Sequence, residues 1–482
     1  MYFYYNKNST TIQLRGEKNM IIGITGKSGS GKSTLAMKLM KVFPYVVHLD
    51  IDKIGHEVLT RPEINEEVIK VFGEDVIDRN NIDRKKLGDI VYSSRKEMDK
   101  LTEITWKYMK VEIDKFIREN KDKIILLDWL LLPKTPHFYK CDIKILLDTP
   151  SSIRKERAIK RDNITEEKFD LREKASINFN KNEYNYVITR DKDVIEVISL
   201  LKHDLVEAIK EIKRKKKLQK KVNNVIKKFI KQMGYLDNEH VLGCFFYGSY
   251  LTGYNREGSD IDLHIIFDNS DPKHLIRGNK YIDGFRVEYF EKPIDDLYLS
   301  LENDFNNQRN ALLPIIGKGK IIFDKGGLLE LKEAVLEKYS KPLPKLDEND
   351  AKEFVSTLNN RMEKVEMFAK ENHPLFKFEY YATVKKIAEF YHRLNGLPDL
   401  PTSKIYRIYT DEDYRISLCK EAIPEQKFID LFFDAAMKEG SPEELLGLIT
   451  KLYNYSKRNV ELDEKDYRIL IKSRNENYRK KW

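Results

Sequence analysis

In the first part of the chain, short apolar runs alternate with longer stretches of helical periodicity. The runs are Met20–Thr25, Val46–Asp52 (VVHLDID), Ile124–Asp128 (IILLD), Ile143–Asp148 (IKILLD) and Tyr186–Thr189 (YVIT). This alternation predicts an α/β fold built on a parallel sheet. Ligands on such sheets gather at the carboxyl ends of the strands, where Asp50, Asp52, Asp128 and Asp148 fall. Lys210–Gln232 spaces Ile212, Leu218, Val222, Val225, Ile226 and Phe229 as one helix face among many lysines, a connecting helix with a solvated surface. Beyond it, Gly284–Lys292 alternates as a half-buried strand. The last part is helical, and Ser441, Pro442 and Glu444 form a capping box with proline at the first helical position.

These patterns divide the chain into a first α/β domain at 20–205, a basic linker helix at 206–232, an α+β domain at 233–335 and a helical domain at 336–482. Residues 1–19 read as a loose or mis-assigned extension, because Met20 stands directly before the first strand. A chain of 482 residues is too long for one core, which agrees with this division. The three cysteines, Cys141, Cys244 and Cys419, fit neither a disulfide framework nor a zinc site and point to a reducing, cytoplasmic setting. No apolar run approaches the roughly 20 residues that span a bilayer. The net charge of +9 suits phosphorylated ligands; no stacking aromatics accompany the lysine run, so nucleic acid is the weaker expectation.

Two stretches carry the chemistry. GITGKSGSGKST places Gly26, Gly29, Gly31, Lys32 and Ser33 in the pattern G-x-x-x-x-G-K-S between a strand and a helix. Glycines let such a loop turn its N–H groups inward, and the following helix start adds positive charge. Lys32 is placed to meet the β- and γ-phosphates of ATP, and the Ser33 hydroxyl to ligate Mg2+. Downstream, Arg154, Arg157 and Arg161 recur at i, i+3 and i+7 and predict a lid helix that brings positive charge to a transferring phosphate.

With LDIDKIGHEVL, IDRKKLGDIVY and RAIKRD added, residues 20–205 resemble the dephospho-CoA kinases, which are P-loop kinases of coenzyme A biosynthesis. The resemblance implies an ATP loop at Gly29, Ser30, Gly31, Lys32, Ser33 and Thr34, an Asp50 that serves the acceptor hydroxyl, and a lid arginine at Arg157. The chain departs from the family pattern on the acceptor side. Trp106-Lys107 stands where His-Pro is usual, Trp129–Pro133 where Pro-Leu-Leu-Phe-Glu is usual, and Asn185 and Arg190 where a late Asp and Asn are usual.

The second stretch, YGSYLTGYNREGSDIDLHIIF, sets Gly248-Ser249 before Asp260-Ile261-Asp262. Carboxylates two apart on a strand share a face, and the natural relief of their repulsion is a Mg2+ pair. Such a pair activates an attacking hydroxyl and stabilises a leaving pyrophosphate. Gly248 and Ser249 are placed to approach a triphosphate, and Glu288 is the expected third ligand from a neighbouring strand. The stretch resembles the nucleotidyltransferase superfamily of DNA polymerase β and the aminoglycoside nucleotidyltransferases. In the antibiotic-modifying branch a helical domain helps to build the pocket, which draws attention to Tyr380, Tyr381 and Lys404. The expectation is a bifunctional enzyme, a kinase acting on dephospho-CoA joined to a nucleotidyltransferase of unassigned acceptor. The alternatives are a kinase-like half that senses ATP for the transferase, or a kinase for another nucleotide-like acceptor.

Overall fold

In the computed structural model, described for residues 20–78, 81–91, 94–189, 193–271 and 273–461, the chain divides into two compact units between Lys220 and Lys221. The extension 1–19 and Arg190 lie outside the described residues.

The first unit is built on β1 (Ile21–Gly26), β2 (Val46–Asp50), β5 (Ile124–Asp128), β6 (Ile143–Leu147) and β7 (Tyr186–Ile188). They lie in the order β2-β5-β1-β6-β7, all parallel, while β3 (Ile77–Asp78) and β4 (Asn81–Ile82) form a separate two-stranded ladder. Every residue of β1 and β5 is buried, as expected of strands covered by helices on both faces. One face packs Leu35, Ala36 and Leu39 of the helix after the phosphate-loop motif, together with Val197, Leu201 and Leu205. The other packs Ile51, Ile54, Val58, Met109 and Ile113. Each fully buried aliphatic side chain contributes roughly 1.5–3 kcal/mol, so these two layers hold the strand ends in place.

Three local expectations change. The run VVHLDID ends as a strand at Asp50, and a helix begins at Ile51, because the Asp50 carboxylate accepts a hydrogen bond from Lys53 N as its N-cap. Asp52 is therefore a first-turn helical residue. The arginine-bearing helix covers Ser151–Asp162 and stops at Asn163, whose φ of 50° is left-handed, before a second helix at Glu166–Ala175. The basic helix extends from Asp193 to Gln232, and its early turns give Val197, Leu201, Leu205, Ala208 and Ile212 to the first unit's core.

The second unit holds a mixed sheet of β8 (Val241–Tyr247), β9 (Ile261–Phe267), β10 (Ile276–Ile282), β11 (Phe285–Pro293) and β12 (Lys320–Asp324). The order is β10-β11-β9-β8-β12, with β11 and β9 parallel and the other pairs antiparallel. A helical part follows, with its main helices at Glu348–Lys370, Phe376–Leu394, Gln426–Met437 and Pro442–Lys457. Tyr380 is fully buried in its core and donates to Ala435 O. The Ser441 capping box is formed. Among the described residues no helix is long and apolar enough to cross a membrane.

Candidate active sites

The first candidate site lies where β1, β2 and β5 end together. Parallel register sets Ile24 beside Asp128 and Asp128 beside Asp50, and the loop Lys27–Gly31 closes over them. Gly29 has a φ of 77°, and a Cβ there would meet Arg154 O at 2.5 Å, so the residue must be glycine for conformation and for space. Lys32 Nζ donates to Gly26 O at 3.1 Å. Ser33 Oγ donates to Asp128 Oδ2 at 3.3 Å, and His48 Nε2 lies 3.2 Å from the same oxygen. Asp128 is buried, and its Oδ1 has no hydrogen-bond partner. An orphaned carboxylate oxygen beside a serine hydroxyl suits a hard cation such as Mg2+, so this pair fits the metal expected at Ser33. Sequence reasoning had placed Asp128 only among the strand ends.

Asp52 sits at the mouth of the same cluster. Its side chain is exposed to solvent yet crowded by protein atoms on most sides. That desolvation, outweighing the attraction of Lys32 and joined by the like charges of Asp128 and Asp50, pushes its pKa up to about 6. Asp50 lies in the same cluster, and its carboxylate also caps the helix that carries Asp52.

The three lid arginines divide into two kinds. Arg154 is buried, donates from Nε to Thr149 O at 2.8 Å, and grips Glu173 with both guanidinium ends at 2.8 and 2.9 Å. Lys27 joins Glu173 at 2.7 Å. Arg154 is thus the anchor of the lid helix and not a mobile charge, contrary to the reading from spacing. Arg161 donates to Ser28 Oγ at 3.1 Å, and the Arg157 guanidinium lies 3.9 Å from where a Cβ on Gly31 would be. These two face the loop.

Trp106 and Trp129, two of the positions expected to depart from the family pattern, come together. Trp106 stacks on Trp129 with ring centroids 5.8 Å apart and planes 8° apart, and its edge meets His137 at 5.7 Å. His137 Nε2 in turn lies 2.8 Å from Asp114, whose carboxyl is held well below the usual range by His137 and Lys110 despite burial.

The second candidate site lies on one face of the mixed sheet. Asp262 and Glu288 are register partners on the parallel strands β9 and β11, so their side chains stand side by side, and Asp260 immediately precedes β9. Val287, between Arg286 and Glu288, is buried on the opposite face, which fixes Glu288 toward Asp262. Gly248 has a φ of 95°, and a Cβ there would run into Asp262 Oδ2. Ser249 opens the short helix Ser249–Thr252 beside it. Burial, followed by the charges of Glu288 and Asp260, pushes the Asp262 pKa up to about 7, against Lys404 and Arg286.

Three hard oxygen donors that repel one another suit divalent cations. Among the described residues, however, no such group is drawn together tightly enough to hold a metal ion. Asp260 is paired with Arg286, and Glu288 with Arg277 at 2.7 Å. The helical part closes one side. Tyr247 Oη donates to Ser417 O at 2.8 Å, and Tyr254 meets Tyr414 edge-on at 4.7 Å. Lys404 stands near the carboxylates, whereas Tyr380 is core.

Residues 20–195 match the family described as dephospho-CoA kinase, and residues 224–326 that described as polymerase beta, nucleotidyltransferase. The dephospho-CoA kinase of Aquifex aeolicus (strain VF5) is 38% identical over 159 residues, 32% of this chain and 80% of that protein. That of Fusobacterium nucleatum subsp. nucleatum is 36% identical over 154 residues, 31% of this chain and 76% of that protein. A crystal structure of a nucleotidyltransferase-like protein from Exiguobacterium sibiricum 255-15 is 13% identical, with a TM-score of 0.29, covering 49% of this chain and 74% of that one. Through its first unit the chain belongs to the dephospho-CoA kinase family, and it joins to that unit a nucleotidyltransferase domain of the polymerase β kind, the architecture of a bifunctional transferase.

Proposed function

We propose that the first unit transfers the γ-phosphate of ATP to a hydroxyl of dephospho-CoA, and that the second transfers a nucleotidyl group from a nucleoside triphosphate to an acceptor. The observation that carries the first half is the convergence of Lys32, Ser33, Asp128 and Asp52 at the strand ends, with Arg157 and Arg161 facing the same loop. The loop amides and Lys32 hold the phosphates. Arg157 and Arg161 stabilise charge as it spreads over the transferring group. Mg2+ at Ser33 and Asp128, and a metal pair at Asp260, Asp262 and Glu288, would neutralise phosphate charge and polarise the attacked phosphorus.

The acceptor proton goes to Asp52 in this reading. A base works best when its pKa lies near the operating pH, and Asp52 at about 6 meets that condition beside Lys32. Asp50 keeps the first turn of that helix in place. With γ-labelled ATP and dephospho-CoA, Asp52→Asn should lose roughly 10²–10⁴-fold in turnover. Asp50→Asn should lose far less, since asparagine also caps helices well. Equal losses would refute the division of roles. A wild-type protein that never labels dephospho-CoA would refute the acceptor, and the stacked Trp106–Trp129 wall would then mark a different nucleotide-like acceptor.

A further inference from the structure

Asp260 gives up both of its carboxylate oxygens to one side chain. Arg286 Nε donates to Oδ1 at 2.6 Å, and Arg286 Nη2 donates to Oδ2. This side-by-side fork is a strong geometry for an arginine and a carboxylate, and it engages both oxygens and sets a positive charge where a metal ion would approach them. Glu288 is held differently. Arg277 places both Nε and Nη2 on the single oxygen Oε1, at 3.0 and 2.7 Å, so Oε2 is outside the pair. Asp262 makes no ion pair with either arginine and lies against Gly248. The three carboxylates therefore differ in readiness, with Asp260 closed by Arg286 and the others open at one or both oxygens.

Arg286 is also on the working face of the sheet. It lies two residues before Glu288 on β11, on the side opposite buried Val287, and its side chain is 45% exposed. A guanidinium freed from Asp260 on that face remains within reach of whatever occupies the space between β9, β11 and Gly248. The same fork that fits a carboxylate fits a phosphate.

We infer that Arg286 is a resident counter-cation of the second site, which divalent metal must displace from Asp260 and which then takes a nucleotide phosphate as its new partner. The inference rests on the metal-dependent reading of that site. Arg286 is accordingly a positioning residue before metal binds and a phosphate ligand afterwards. Metal and arginine compete for Asp260, while metal and nucleotide together favour the exchanged state. Affinity for metal alone and affinity for nucleotide should therefore move in opposite directions when the guanidinium is removed.

The test uses the full chain carrying Lys32→Ala to silence the first loop, with Mn2+ as the probe. Free Mn2+ is followed by electron paramagnetic resonance, and binding lost on Asp262→Asn defines the second site's share. Without nucleotide, Arg286→Gln should bind Mn2+ roughly three- to tenfold more tightly, the size expected for removing one nearby positive charge from a partly solvated site. With saturating Mn2+, the same variant should bind a non-hydrolysable nucleoside triphosphate at least about threefold more weakly, since a charge-assisted phosphate contact is lost. Arg286→Lys should fall between the two in both measurements, and thermal unfolding of each variant checks that the fold is retained. Unchanged or weaker Mn2+ binding by Arg286→Gln would overturn the inference, as would undiminished nucleotide affinity. If Asp262→Asn removes no Mn2+ binding, the metal reading itself fails, and the exchange fails with it.

Discussion

Asp262 allows stability and chemistry to be separated by one substitution. Burial and the neighbouring charges of Glu288 and Asp260 raise its pKa from 3.8 to about 7, so the folded protein holds this proton more tightly than the unfolded chain does. Below about pH 4 both states carry the proton and the group costs nothing. As pH rises from about 4 to about 7 the unfolded chain releases the proton first, and above about pH 7 the fold bears the full cost. At 1.36 kcal/mol per pH unit the interval corresponds to about 4 kcal/mol. Water reaching this half-open cleft screens the charge and lowers the figure to about 2 kcal/mol. Asp262→Asn removes the charge while keeping the shape. Near pH 8, with a chelator present, it should raise the unfolding temperature by about 4–8 °C for a unit of this size while abolishing transfer of an α-labelled nucleotide. Near pH 4 the two proteins should unfold together, and added Mg2+ should stabilise only the wild type. The assay is calorimetry or circular dichroism across pH. A variant no more stable near pH 8, or a gain that persists near pH 4, would refute the electrostatic argument.

Other outcomes follow from the same geometry. Lys32→Ala should reduce γ-phosphate transfer by roughly 10³-fold while leaving α-label transfer intact, read in one reaction with both labels. Arg154→Met leaves Glu173 without its fork and should cost about 3 kcal/mol of stability in a urea titration; a lowered turnover with unchanged stability would contradict its role as anchor. Gly248→Ala should weaken second-site Mn2+ binding and cut nucleotidyl transfer by at least about tenfold, because the new Cβ meets the Asp262 carboxylate and the φ of 95° disfavours alanine.

The parts legible in the sequence are those in which function is written locally. The phosphate-loop spacing of Gly26 to Ser33 and the pair Asp260 and Asp262 follow from backbone geometry over a few residues. Glu288 was accessible because strand alternation narrows its direction to two choices, although only pairing with Asp262 selects one. The parts that escaped depend on partners far along the chain. Ser33 meets Asp128 across 95 residues of sequence, and Arg154 meets Glu173 in a separate helix. Helical spacing gave the arginines one face but could not tell the helix's anchor from the residues that face the loop. Asp52 was hidden by its neighbours: VVHLDID is apolar enough to read as strand throughout, and only the capping by Asp50 turns its last residues into a helix. The fork on Asp260 arises from the register of β11 beside β9, and the one on Glu288 from that of β10 beside β11, which residue spacing does not encode.

The stacked tryptophans have a consequence for how this chain can change over generations. Trp106 and Trp129 each form part of the other's packing surface. Residues in contact do not contribute independently, so replacing either indole alone removes the stack as well as the ring. Single substitutions at the two positions should not add, and the double substitution measures how strongly they are coupled. A change at one position therefore alters what the other tolerates, so the two positions constrain each other.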